Sequence, residues 1–268
     1  MVETMEKVCI RLWWCVARVM LYAHRALWAV LAPFERIQRR AQWQHAAELF
    51  EMQGSPDKAI SYYQKVLLKR PKDIKIYLAL GRCYLRCFNL KEAARHVARV
   101  LEKESDHQEA TFYTGVISFY QKDKAQAKAY LEQVVRRQML DHKKHSMALE
   151  YLGEIALEEG AYGEAIERLE KAFMVHPVMG KSERRWVLMA EAHHMRGEDA
   201  KAIEYLRKAI EQNPSSAHAW NDLGVLLWGH GKRDRAVQCF ETALRIEPQY
   251  MDAKNNLVAV KDARHYAN

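Results

Sequence analysis

The stretch AWNDLGVLLWGHGKRDRAVQCFETALRIEP, residues 219–248, decides how the rest of the chain is read. Its landmarks are Trp220, Leu223-Gly224, Gly231, Ala236, Phe240, Ala243 and Pro248. Exactly the same offsets recur 34 residues earlier, at Trp186, Met189-Ala190, Gly197, Ala202, Leu206, Ala209 and Pro214. The block before that holds Leu149, Leu152-Gly153, Gly160, Ala165, Leu169, Ala172 and Pro177. Nearer the N-terminus, Trp43, Ala46-Ala47, Gly54, Ala59, Tyr63, Val66 and Pro71 form one block, and Tyr77, Leu80-Gly81, Ala93, Val97 and Val100 the next. A degenerate block follows with Gly115, Ala127, Leu131 and Val134, and with Met139 where proline is usual.

Each block reads as two amphipathic helices of about a dozen residues around a turn. The small residue early in the block and the alanine in its second half let the two helices approach closely. Proline at the end stops the second helix. One helix pair cannot bury its apolar face alone, so neighbouring blocks must stack.

Period and order of landmarks resemble the tetratricopeptide repeat (TPR) family over about 210 residues. The resemblance implies an all-α, right-handed α-solenoid of six helix-turn-helix repeats at 40–73, 74–107, 108–141, 146–179, 183–216 and 217–250. Residues 142–145 and 180–182 are short insertions, the first a lysine-rich stretch read as a solvated loop. Residues 251–268 start another first-helix pattern with Leu257 in place, and are expected to form a C-terminal capping helix and tail.

Composition fits. The chain has 268 residues, 49% hydrophobic and 28% charged, with only six prolines and eleven glycines, which argues against a loop-rich or all-β design. The net charge of +8 is uneven: residues 1–40 hold seven Lys or Arg against three acids, and residues 146–268 hold sixteen against nineteen. A basic first half beside an apolar segment suits an anionic membrane surface. No nucleic-acid motif accompanies it. Five cysteines at irregular spacing give no disulfide framework, and Cys83 and Cys87 lack companions for a metal site.

The resemblance further implies a concave face lined by the first helix of each repeat, where partner proteins or peptide segments bind. Repeat offsets put Lys75, Leu78, Arg82 and Arg86 there from the second repeat, and Phe112, Tyr113, Val116, Phe119 and Tyr120 from the third. The fourth adds Glu150, Tyr151, Glu154 and Leu157, the fifth Val187, Leu188, Glu191 and His194, and the sixth Asn221, Asp222, Val225 and Trp228. Apolar anchors flanked by charge suit an amphipathic helix or an extended segment. The competing reading makes Phe112 and Phe119 intramolecular core. The lysine and asparagine clamp with which some relatives hold chaperone C-termini is missing, since Gln44, Glu48 and Ala79 stand in its place.

Catalytic signals are weak. His142 and His145, three apart beside Asp141, have metal-ligand spacing only if that segment is helical. His193 and His194 point about 100° apart on a helix and chelate poorly together. There is no phosphate loop, nucleophile elbow or HExxH. The expectation is a non-enzymatic chain with no cofactor and no metal.

Residues 1–39 lie outside the repeats. Between Val8 and Phe34 there is no acid and no glycine, which predicts a long helix. Arg11, Arg18 and Arg25 fall seven apart in one stripe, and Trp13, Trp14 and Trp28 lie on the apolar remainder. A central arginine costs about 2.5–3.5 kcal/mol in a span, while each aliphatic side chain returns about 0.3–0.6 kcal/mol. Three arginines along one stripe therefore favour an amphipathic helix lying on a membrane surface over a span. Packing on a partner or on a second copy, as a soluble adaptor or homo-oligomer would use it, is the alternative. Arg36, Arg39 and Arg40 follow the helix and would keep the repeats on the cytoplasmic side.

Overall fold

The computed structural model describes residues 42–137, 142–176 and 183–262, and the segment 1–39 with its arginine stripe lies outside them. The described residues contain helices and no strand. They are α1 (42–52), α2 (Pro56–Leu67), α3 (Ile74–Arg86), α4 (Leu90–Leu101), α5 (Gln108–Tyr120), α6 (Lys124–Arg136) and α7 (His142–Glu158). Then follow α8 (Tyr162–Val175), α9 (Glu183–Met195), α10 (Asp199–Gln212), α11 (Ala217–Gly229), α12 (Arg233–Ile246) and α13 (Met251–Asp262). The described residues divide into two compact units, one up to Lys103 and one from Glu104 onward.

Within each unit the helices pack as successive pairs. Gly224 shows why the early small residue is required. A Cβ there would come within 2.6 Å of the Phe240 ring, and Phe240 is fully buried with no room to retreat. Gly81 faces Val97, Gly115 faces Leu131 and Gly153 faces Leu169 in the same way. The turns have their own signature. Gly54, Gly160, Gly197 and Gly231 take positive φ, and at the same repeat position Phe88 (φ 58°) and Lys122 (φ 65°) do so without being glycine. Side-chain caps reinforce several helix starts: Asp73, Asn89, Asp123 and Ser216 each accept from a backbone N–H in the first turn.

In the first unit, Tyr63, Val66, Ile76, Leu80 and Cys83 bury a core between α1, α2 and α3. In the second, Leu206, Leu223, Leu226 and Phe240 form the centre of a larger cluster, against which Leu257 and Val260 of α13 pack.

One expectation is corrected. Residues 142–145 are not a loop but the first turn of α7. α7 has 17 residues where α5, α9 and α11 have 13. Four extra residues are close to one helical turn of 3.6, so the insertion lengthens the helix by about 6 Å and returns the chain nearly to the same face. Extending the helix satisfies backbone groups that a loop would leave to water.

Candidate functional site

In the first unit, two of the predicted basic residues, half-buried Arg82 and exposed Arg86, are engaged by α1. The Arg82 guanidinium embraces the Glu51 carboxylate of α1, with Nη2 at 2.7 Å from Oε2, and Arg86 Nη1 donates to the Glu51 carbonyl at 3.0 Å. Tyr63 donates to the same carboxylate at 3.1 Å. These arginines tie α3 to α1. Gln44 and Glu48 hydrogen-bond each other along α1. Cys83 is buried, and burial followed by the Glu51 charge pushes its thiol up to about 12. Burial and a hydrogen bond to Asp57 raise Cys87 to about 11. Both thiols are thereby held toward the protonated form.

In the second unit, first helices lie beside first helices: α5 touches α7, and α7 touches α9. The structure brings four predicted residues together there. Phe119 and Tyr151 have ring centroids 5.0 Å apart, the Tyr120 and Tyr151 hydroxyls are 3.3 Å apart, and Glu154 stands one turn beyond Tyr151. Burial raises the Tyr151 phenol well above its ordinary range, with Tyr120 adding to it. Arg184 of α9 covers this cluster, its guanidinium 5.3 Å from the Tyr151 ring centroid and paired with Glu154. Burial nevertheless leaves the Glu154 carboxyl raised.

Phe112 is 2% exposed, and Val116, Phe119 and Tyr113 are also buried. α5 is buried on nearly every side, as a helix carrying few charges around its circumference should be. Phe112 and Val116 therefore stand in the interior, not on an open wall. Asn221 is buried too, its carbonyl accepting from Asn256 of α13 at 2.9 Å. Trp228 is half-buried against the α9–α12 core, and Leu188 is buried between α8 and α9.

Farther along the same unit, a cavity of about 420 Å3 opens between α9 and α11. Val187, Glu191 and His194 line it from α9, and His218, Asp222 and Val225 from α11. Burial pushes the Asp222 carboxyl up, partly offset by His218, whose Nδ1 is 3.4 Å from Oδ2. Glu191 is raised by desolvation in the concavity and then by the Asp222 charge. His194 is held by Asp199 at 2.6 Å.

Sequence reasoning missed the most buried charge. Arg185 of α9 is fully buried. Its Nε donates to Glu150 at 2.7 Å, Nη2 to Ser146 Oγ at 2.7 Å and Nη1 to the Ala172 carbonyl at 3.3 Å, while Phe173 stacks beneath the guanidinium at 4.8 Å. Glu150, expected on the groove, is instead the interior partner of this network. No feature of local sequence separates Arg185 from its exposed neighbour Arg184. The signal was indirect: Ser146 and Glu150 place two polar groups on the inner side of α7.

Among the described residues no group of three or more His, Cys, Asp or Glu is arranged to hold a metal ion. His142 and His145 do share one helix turn, and partial burial lowers the His145 imidazole. No helix among the described residues is long and apolar enough to cross a membrane.

The family model described as "Cilia and flagella-associated protein 70 middle TPR-like domain" matches residues 43–212, and a "Tetratricopeptide repeat" model matches residues 197–250. Human "Tetratricopeptide repeat protein 7B" is 35% identical over 95 residues, 35% of this chain but only 11% of that relative. "Photosystem I assembly protein Ycf3" of Cyanophora paradoxa is 28% identical over 118 residues, 38% of this chain and 68% of the relative. A crystal structure of the APC/C hetero-tetramer Cut9-Hcn1 superposes with a TM-score of 0.73 at 13% identity, covering 82% of this chain and 42% of that one, and shows the fold alone.

Proposed function

The chain belongs to the family of the Cilia and flagella-associated protein 70 middle TPR-like domain, and from that premise we propose that it is a non-enzymatic scaffold that binds partner proteins. Proteins of this architecture are protein–protein interaction modules whose stacked repeats present extended binding surfaces. The observation that carries the reading here is the row of first helices in the second unit. There Tyr120, Tyr151, Glu154 and Arg184 give way to the acid- and apolar-lined cavity between α9 and α11. Aromatic anchors beside charge are what a partner helix or extended segment engages. The similarity to an assembly protein supports a role in building a larger complex.

The finer reading is that residues 40–250 make six TPR repeats, that α13 covers the apolar end of the last one, and that residues 1–39 tether the array to a membrane surface with the repeats facing the cytoplasm. The arginine stripe of Arg11, Arg18 and Arg25 with Trp13, Trp14 and Trp28 supports the tether. Flotation of the full chain with anionic liposomes tests it. Changing the three arginines to glutamate should abolish flotation, and undiminished flotation would refute the tether. Chemical crosslinking in the native source tests the groove. Tyr120→Ala should weaken capture of the crosslinked partner without loss of helical content, and unchanged capture removes this surface from the reading.

A further inference from the structure

The cavity between α9 and α11 has an electrostatic demand that the described residues meet only with His218 and the Asn221 amide. Its volume, about 420 Å3, falls within the range of pockets that hold a specific ligand group. Two carboxylates from neighbouring helices face it, Glu191 and Asp222. Among the described residues neither is paired with a lysine or arginine; Asp222 has His218 Nδ1 at 3.4 Å and accepts from Asn221 Nδ2 at 3.3 Å. More negative charge stands behind them: Glu158 adds to the field at Glu191, and Asp252 to that at Asp222. The contrast with the preceding helix pair is direct, because there Glu154 already has Arg184. Apart from the His194 and His218 imidazoles the rest of the lining is apolar, and part of it is accessible, with Val225 39% and Met195 50% exposed.

We infer that this cavity receives the arginine or lysine side chain of a partner segment whose flanking residues are apolar. The inference rests on the scaffold reading and names the chemistry of its partner at one place. The cation would lie between Glu191 and Asp222 and relieve their mutual repulsion, while its apolar neighbours cover Val225 and Met195. Desolvation already raises both carboxyls, so an incoming cation is worth more here than on an open surface. An acidic or purely apolar segment gains nothing from the two carboxylates.

The test uses the full chain and short fluorescent peptides with arginine flanked by leucines, compared with the same peptides carrying citrulline or glutamate. Anisotropy should show the arginine peptide binding about tenfold or more tighter than the citrulline one, and the glutamate peptide weakest. Glu191→Gln and Asp222→Asn should each bring the arginine peptide toward the citrulline level, and added salt should do the same. Both variants keep side-chain shape at exposed or half-exposed positions, and circular dichroism checks that they fold. Equal affinity for all three peptides, with silent variants, overturns the charge-selective cavity and leaves the scaffold reading standing. Absence of binding by every peptide also overturns the inference, and the Tyr120→Ala crosslinking result then decides separately whether the groove binds partners at all.

Discussion

Removing the guanidinium of Arg185 should destabilise the chain more than any surface substitution. Arg185 is fully buried and satisfies Glu150, Ser146 Oγ and the Ala172 carbonyl at once. Arg185→Met keeps much of the side-chain volume but leaves the Glu150 carboxylate in the interior without a counter-charge. Breaking a buried pair from one side costs about 3–5 kcal/mol. At about 2–4 °C per kcal/mol for a unit of this size, the melting midpoint should drop by about 6–20 °C. Glu150→Leu, which strands the cation, should cost a similar amount. The double replacement Arg185→Met with Glu150→Leu should cost far less than the sum, because no charge is then left unpaired. Urea titration followed by circular dichroism reads all three, with the slope checked for constancy. Single variants that each lose under about 1 kcal/mol, or a double variant that loses the sum, would refute the view that the network is one coupled, desolvated unit.

Gly224→Ala should destabilise despite the better helix propensity of alanine. Overpacking against the immobile Phe240 ring costs about 1–3 kcal/mol against about 1 kcal/mol gained, and a raised melting midpoint would contradict the packing described. Phe112→Ala, at a site 2% exposed, should cost about 3–5 kcal/mol by leaving a cavity; a loss near zero would restore Phe112 to an open groove wall. His96 is buried beside Tyr84, ring centroids 5.3 Å apart, and burial lowers its imidazole below the ordinary value. The unfolded chain therefore binds the proton more readily, so the contribution of neutral His96 is complete above about pH 6.5 and is lost as the pH falls below it. Thermal melts across that window should fall less steeply for His96→Phe than for the parent, and parallel curves would refute the assignment. Asp123→Ala removes the cap on the Gln126 N–H and should cost about 1 kcal/mol, measured in the same melts; no change would mean that the cap contributes nothing.

The helix pairs were legible in sequence because their landmarks are steric. Gly224 must be small opposite Phe240, and that requirement recurs at Gly81, Gly115 and Gly153. The turn residues were only partly legible: four are glycine, but Phe88 and Lys122 hold the same left-handed conformation under other side chains. The lysine-rich insertion misled because solvated charge looks alike in a loop and on the outer face of a helix, and here it adds a turn to α7. The groove was least legible. Counting offsets identifies the face on which a residue lies but not whether that face is open, so Phe112 and Val116 were grouped with Tyr120. Charges raised a similar ambiguity: Arg82 pairs with Glu51 from 31 positions away, and no local pattern announces such a partner.

The buried arginine also bears on where the chain can be divided. Arg185 belongs to α9, yet the groups it satisfies belong to α7 and α8. A fragment ending after α8 would retain Glu150 and Ser146 and forfeit the cation that makes their burial tolerable. Repeat arrays are commonly treated as strings of interchangeable modules to be shortened at will. Here the α7–α8 and α9–α10 pairs are one indivisible length of chain, and any domain dissection, fusion or permutation should place its cut on one side or the other of the whole segment from His142 to Gln212.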